Sequence, residues 1–393
     1  MQIQAAGHME AILGMLLIAL IISIIFRLFK LPAILGYIVS GALLGPNAFG
    51  FIENTLIIKE LSELGIVFLM FTIGLEFSIK KLFMLKNAVI ILGGFQVLLT
   101  IIITTLIGLS FNMTQVSAFS VGCIAAMSST AIVIKELYNN KEHSYKYALN
   151  SIGILLFQDI AVIPIMVLLP NLNPDVISEI NIYIPLLKSF IAVGLILVIG
   201  RWLLQPLFHL IFKTKCLELF TLSVLLVVIG SAWITHSLGF SYTLGAFVSG
   251  IMLSETQYRH NIEMEIRPFK DVLLGLFFIS IGMLVDISSW KETWVWIGLL
   301  LIAIIVGKFL LITTLSIINK QDVKTSLRTG LILAQGGEFG FALLAIATNN
   351  KLLPFDYSQV VLAALLISFS FAPIIINYVI KQNKTESTRS ARI

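Results

Sequence analysis

Residues 147–169 read YALNSIGILLFQDIAVIPIMVLL, twenty-three positions with a single charged side chain, Asp159, near the middle. About 20 apolar residues at 1.5 Å rise cross the hydrocarbon of a bilayer, so the stretch reads as a membrane-spanning helix. An acid at its centre costs ~2.5–3.5 kcal/mol on insertion scales, and a residue kept there at that cost is a functional candidate by default. Desolvation makes such a carboxylate a proton-exchanging group, and a bare carboxylate also binds a dehydrated monovalent cation. One group that holds either, never both, is the minimal exchanger. The bland alternative is a protonated acid bonded to a neighbouring helix.

The rest of the chain has the same character. Its 393 residues are 58% hydrophobic and 12% charged, with a mean hydropathy of +1.00. A soluble domain is about 25% charged, so a soluble enzyme and a disordered scaffold are excluded. The net charge of +5 is small and scattered, which argues against nucleic-acid binding. Cys123 and Cys216 have no Cys-x-x-Cys spacing, and no histidine is followed by glutamate, so neither a disulfide framework nor a resident metal is indicated. No cofactor is expected. Residues 1–10 carry no Lys or Arg, which argues against a cleaved leader.

The hydropathy predicts an all-α polytopic membrane protein of about thirteen helices. The spans are 9–29, 31–51, 59–78, 87–109, 115–137, 147–169, 182–204, 217–238, 241–255, 268–285, 294–318, 324–348 and 358–380, with 256–267 as a charged connector. An outside N-terminus puts twenty Lys and Arg on the inner side and four on the outer. The positive-inside rule therefore predicts an N-terminus outside and a basic cytoplasmic tail, 381–393. Arg201 can snorkel to an interface, but Lys308 sits deep in the eleventh span.

The halves repeat weakly. Leu35-Gly36-Tyr37-Ile38-Val39-Ser40-Gly41 resembles Leu244-Gly245-Ala246-Phe247-Val248-Ser249-Gly250 at an offset of 209. Thr72-Ile73-Gly74-Leu75 resembles Ser280-Ile281-Gly282-Met283 at 208. Seven crossings separate the copies, so the two six-helix units are inverted, an arrangement that places a transport site at interrupted helices near the midplane. The same offset carries Ser128-Ser129-Thr130, in the fifth span, onto Gly336-Gly337-Glu338, in the twelfth, with Gln335 just before it. Ser and Thr bond to backbone and Gly costs about 1 kcal/mol in a helix relative to Ala, so both triplets are weak points. Either alone fits tight packing of small residues. Together they predict two broken helices lining a polar cavity.

Lys308 and Glu338 are the other two ionisable groups at this depth. A buried ammonium needs a partner, and Asp159 and Glu338 both qualify. Two carboxylates and one ammonium leave one negative charge, which a single cation or proton neutralises. Glu76 reads as an interfacial charge, and Gln96 and His236 as packing or interface groups. Trp290, Trp294 and Trp296 read as an aromatic belt.

Residues 65–76 (GIVFLMFTIGLE), Ser128-Ser129-Thr130-Ala131, Phe157-Gln158-Asp159-Ile160-Ala161-Val162-Ile163-Pro164 and Gln335-Gly336-Gly337-Glu338-Phe339 resemble the second monovalent cation:proton antiporter family. The nearest branches are the Kef-type potassium efflux transporters and the NapA-type sodium–proton exchangers. The resemblance runs from about Gly14 to Ile380 and implies the NhaA-like antiporter fold. It implies a homodimer, with a core at about 87–169 and 294–380 and a scaffold at about 9–78 and 182–285. It also implies that Asp159 holds the cation and the proton by turns, with Gln158, Ser129 and Thr130 as nearby oxygen donors. Lys308 falls where sodium exchangers of the family carry a membrane lysine. Electrogenic members have two adjacent acids where this sequence has Gln158-Asp159, which tilts the expectation towards electroneutral exchange of K⁺, with Na⁺ the alternative. Kef-type proteins continue into a cytosolic nucleotide-binding domain, and 381–393 contains none, so a separate regulatory subunit is expected to supply such control. The implied location is the inner (plasma) membrane. The rival functions on the same scaffold are a channel-like potassium efflux pathway and a transport-inactive sensor.

Overall fold

The computed structural model describes residues 2–29, 31–51, 56–76, 84–172, 202, 204, 206–211, 213–237, 241–254 and 256–390, and its regular elements are helices. In chain order they are α1 (Gln2–Leu28), α2 (Ala33–Leu44), α3 (Leu56–Glu76), α4 (Asn87–Ser110), α5 (Gln115–Ala126), α6 (Thr130–Asn139) and α7 (Lys146–Leu168). Then follow α8 (Leu217–Ser237), α9 (Tyr242–Ser254), α10 (Arg259–Met283), α11 (Ile287–Ile318), α12 (Val323–Ile332), α13 (Glu338–Asn349) and α14 (Phe355–Ser390). Both α4 and α11 contain a π-helical stretch, Asn87–Gly93 and Ala303–Gly307.

Six stretches of the described residues are long and apolar enough to cross a bilayer: α4, α5 with α6, Lys146–Leu172, α8, α11 and Phe355–Thr385. The chain is thus an all-α polytopic membrane protein. The expected seventh span, 182–204, lies outside the described residues apart from Trp202 and Leu204.

Four boundaries differ from the hydropathy reading. The second span stops as helix at Leu44, because Gly45 precedes Pro46 and a residue before proline avoids the helical region. The connector 256–267 is helical from Arg259: Ile262 and Ile266, one turn apart, bury one face of α10 and leave the charges on the other. The eleventh span begins at Ile287, where the Asp286 carboxylate caps α11 by accepting from the Ser288 N–H at 2.9 Å. The tail expected from residue 381 continues α14 to Ser390.

The chain forms two compact units. One comprises residues 1–20, 37–79 and 163–284. Its helices meet through glycine. A Cβ on Gly41 would strike the Ile279 carbonyl and one on Gly282 the Ile38 carbonyl, so α2 and α10 touch backbone to backbone. The pair α3 and α9 does the same through Gly74 against Phe247 and Gly250 against Phe71. Without a hydrophobic drive between helices in lipid, such close approach is what supplies the van der Waals contact. Met15, Ala19, Leu44, Ile279 and Met283 form a buried cluster beside it.

The other unit comprises residues 21–36, 80–162 and 285–393. The interrupted pair α5 and α6 is 78% buried and α11 only 22%. Broken backbone belongs in the protein interior, where other groups can satisfy its N–H and C=O, while an unbroken helix can face lipid.

Candidate functional site

Both weak points are breaks. Helix α5 ends at Ala126, Met127 and Ser129 are extended (ψ 140° and 109°), and α6 begins at Thr130. Helix α12 ends at Ile332, Gly337 is extended (φ −133°, ψ 172°), and α13 begins at Glu338. The breaks pass each other backbone to backbone. A Cβ on Gly337 would collide with the Ser128 carbonyl, and the Ser128 hydroxyl donates to the Leu333 carbonyl at 2.9 Å.

Breaking two helices at one place gathers their exposed ends, with negative potential at the C-termini of α5 and α12 and positive potential at the N-termini of α6 and α13. The side chains present match those signs. The Lys308 ammonium, 2% exposed, donates to the Met127 carbonyl at 2.7 Å and the Gln335 carbonyl at 3.0 Å. These two acceptors are related by the 208-residue offset of the repeat. Opposite in sign, the Glu338 carboxylate accepts from the Ala131 N–H of α6 at 3.0 Å while standing in the first turn of α13. Lys308 thus binds freed carbonyls, not Asp159 or Glu338, and the ion pair considered from sequence is replaced by compensation of helix ends.

A second set of bonds holds the first break. Gln158, fully buried on α7, accepts from the Ser128 N–H at 2.7 Å. Its amide nitrogen donates to Gln96 Oε1 at 2.7 Å. Gln96, fully buried on α4, in turn donates to the Ala126 carbonyl at 3.1 Å, the last of α5. Gln96 therefore belongs to the site, not to general packing. The signal available in sequence was its amide, one of few polar groups in an otherwise apolar span.

Asp159 and its three expected oxygen donors divide into two pairs. Ser129 is buried and its hydroxyl caps α6, accepting from the Ile132 N–H at 3.2 Å, and Gln158 is engaged as described. Thr130 and Asp159 come together directly: the Thr130 hydroxyl donates to Asp159 Oδ1 at 2.9 Å, and both residues are partly exposed. Of the remaining expected residues, the Gly336 N–H donates to the Ser368 hydroxyl at 3.2 Å, and both side-chain amide atoms of Gln335 are buried without a hydrogen-bond partner among the described residues. A carboxylate with partial access, flanked by a hydroxyl and by the positive end of a half-helix, can hold a proton or a small cation. His236 lies far along the chain, stacked on Tyr242 at 3.9 Å between ring centroids.

A family model described as "Sodium/hydrogen exchanger, transmembrane" matches residues 15–382. A protein of Alkalimonas amylolytica assigned as the K(+) efflux antiporter KefB is 39% identical over 358 residues. That alignment covers 90% of this chain and 54% of the relative, so the chain spans about half the relative's length. The structure of the sodium proton antiporter MjNhaP1 from Methanocaldococcus jannaschii at pH 8 matches with a TM-score of 0.69 at 16% identity, covering 96% of this chain and 99% of that one. An electron-microscopy map of the same antiporter gives 0.67 at 17%, covering 99% and 98%. At such identities the likeness to the two structures is one of fold.

Proposed function

The chain belongs to the transmembrane sodium/hydrogen exchanger family, and from that premise we propose that it is a secondary active transporter exchanging a monovalent cation for protons by alternating access, with Asp159 the seat both occupy in turn. The observation that carries the reading is the placement of Asp159: partly exposed, mid-helix in α7, and bonded to Thr130 at the start of a half-helix. Lys308 and Glu338 are buried and each bonds to a helix end, while Asp159 is the deep carboxylate with partial exposure, which favours electroneutral, one-for-one exchange. Potassium is the preferred cation in this reading. The residue before Asp159 is an amide already engaged with Ser128 and Gln96, where a second acid would add charge, and the Alkalimonas relative is assigned to K(+) efflux.

Thirteen helices in two inverted six-helix units complete the picture. The partner exchange in the glycine contacts supports it: Gly41 lies against Ile279 and Gly282 against Ile38, while their repeat counterparts Gly250 and Gly74 lie on Phe71 and Phe247. Residues 87–169 and 294–380 form the transporting core, and 9–78 and 182–285 form the scaffold through which two copies pair. The uneven distribution of Lys and Arg supports an inner-membrane protein with its N-terminus outside and its C-terminus in the cytoplasm.

The test is a proteoliposome loaded with a pH dye. Addition of K⁺ or Na⁺ should move protons in the native protein, and Asp159→Asn should reduce the signal to that of empty vesicles while leaving thermal stability intact. An undiminished signal from Asp159→Asn, or a potassium current without proton movement, would overturn the exchanger reading.

A further inference from the structure

Away from the breaks, α14 and the end of α6 border an open groove of about 450 Å³ lined by Asn140, Asn377, Ile380, Lys381, Lys384 and Thr385. Among the described residues the lining holds two ammonium groups, two amides and a hydroxyl, and no carboxylate. The carboxylate of Glu142, bonded to Asn383 at 2.6 Å and to the Tyr147 hydroxyl at 2.6 Å, is buried at 3% exposure. The chemistry of the pocket is therefore that of an anion receptor.

The helix surface says which anion. Phe371, Ile374 and Tyr378 are 46%, 59% and 58% exposed and follow one another at spacings of three and four residues, so they share one face of α14. Lys381 and Thr385 continue the same stripe at the same spacing. An exposed face that turns from apolar to cationic within one turn of a spanning helix marks the passage from acyl chains to headgroups, and basic pockets between helices at that level take lipid phosphates.

We infer that this pocket between α6 and α14 is a binding site for the phosphate of an anionic phospholipid, whose chains lie along Phe371, Ile374 and Tyr378. Lys384 Nζ already reaches Asn140 Oδ1 at 3.0 Å, so the two helices are joined there before any lipid arrives. A headgroup held by Lys381, Lys384 and the Asn140 amide braces that junction further. Because α6 starts at Thr130, the lipid steadies the far end of the half-helix that reaches Asp159.

The test needs no transport and so stands apart from the exchange reading. Purified full-length chain, stripped of lipid in a neutral detergent, is titrated with phosphatidylglycerol, phosphatidylcholine or inorganic phosphate while bound lipid is followed by native mass spectrometry and stability by melting temperature. Phosphatidylglycerol should bind and stabilise at a concentration at least ~5-fold lower than phosphatidylcholine, as expected of even one well-placed lysine. Inorganic phosphate should do neither. Lys381→Gln with Lys384→Gln should erase the discrimination, and arginine at both positions should restore it. Lys381→Glu, which leaves the Lys384–Asn140 bond in place, must also erase it and serves if the double variant does not purify. Equal response to both lipids, discrimination that survives these variants, or the same stabilisation by inorganic phosphate alone would overturn the proposal, the last by making the ligand a soluble anion.

Discussion

At the first interruption, Met127–Ser129, the chain caps itself with side chains: Ser129 closes the start of α6, Ser128 bonds across to Leu333, and Gln158 holds the Ser128 N–H. At the second, Leu333–Gly337, the local residues contribute almost no side-chain bonds. Gly337 allows the backbones to pass, Ser368 accepts from Gly336, and the Gln335 amide is buried without a partner among the described residues. The interruptions occupy equivalent places in the two halves of the sequence, yet the first uses its own serines, while the second is held by side chains from elsewhere (Ser128, Lys308 and Ser368) and by a glycine that lets the backbones pass. Thr130, which touches Asp159, belongs to the first. Its counterpart at the 208-residue offset is Glu338, one oxygen of which accepts from the Ala131 N–H of α6. Two similar backbones therefore carry different duties, and the chemistry sits where the side chains are.

The most severe way to break this comparison removes the group the interruptions share. Lys308→Met should leave the Met127 and Gln335 carbonyls buried without a donor, at roughly 1–3 kcal/mol each. It should collapse both interruptions together, seen as a large drop in melting temperature of the purified protein. Gly337→Ala should cost about 1–3 kcal/mol by overpacking, because its Cβ meets backbone that cannot rotate aside. Ser129→Ala, at the first interruption, should cost about 0.5–2 kcal/mol as a lost cap. It should also weaken cation-dependent proton release, because α6 carries Thr130. If Gly337→Ala proves milder than Ser129→Ala, the distinction between the two interruptions fails.

The smallest effect concerns pH. The Asp322 carboxylate at the start of α12 accepts from the Thr325 N–H at 2.9 Å, and that bond holds it below the usual carboxylate range. A group whose native value is depressed contributes stability above its unfolded value, near pH 4, and loses it as pH falls through the lower native value. Melting temperature should therefore fall slightly more in the native protein than in Asp322→Asn as pH is taken from 5 to 3.

Much of the site could be read from residue types. Asp159 announces itself as a lone charge in an apolar helix, and Ser128-Ser129-Thr130 with Gly336-Gly337-Glu338 mark the breaks because neither triplet suits a helix interior. The partners of Lys308 could not be read, since they are backbone carbonyls and any residue supplies one. Gln96 was equally hidden: an amide in an apolar span has the same letter whether it packs or organises a break. The start of α10 was obscured because a charged run looks like a loop until Ile262 and Ile266 are seen to share a buried face. The end of α2 was in plain view as Gly45-Pro46, a local signal outweighed by hydropathy averaged over a window.

The π-helical stretch Ala303–Gly307 immediately precedes Lys308. Such a turn accommodates about one more residue than an α-turn, and each residue advances a helix by about 100°. The azimuth of Lys308 is therefore set by main-chain winding, and no rotamer could recover it. Deleting a single residue from that stretch would return it to an ordinary α-turn with Lys308 still facing the breaks, whereas deleting one from the α-helical turns before it would rotate the ammonium by about 100° relative to the start of α11 and should disable the protein far more thoroughly.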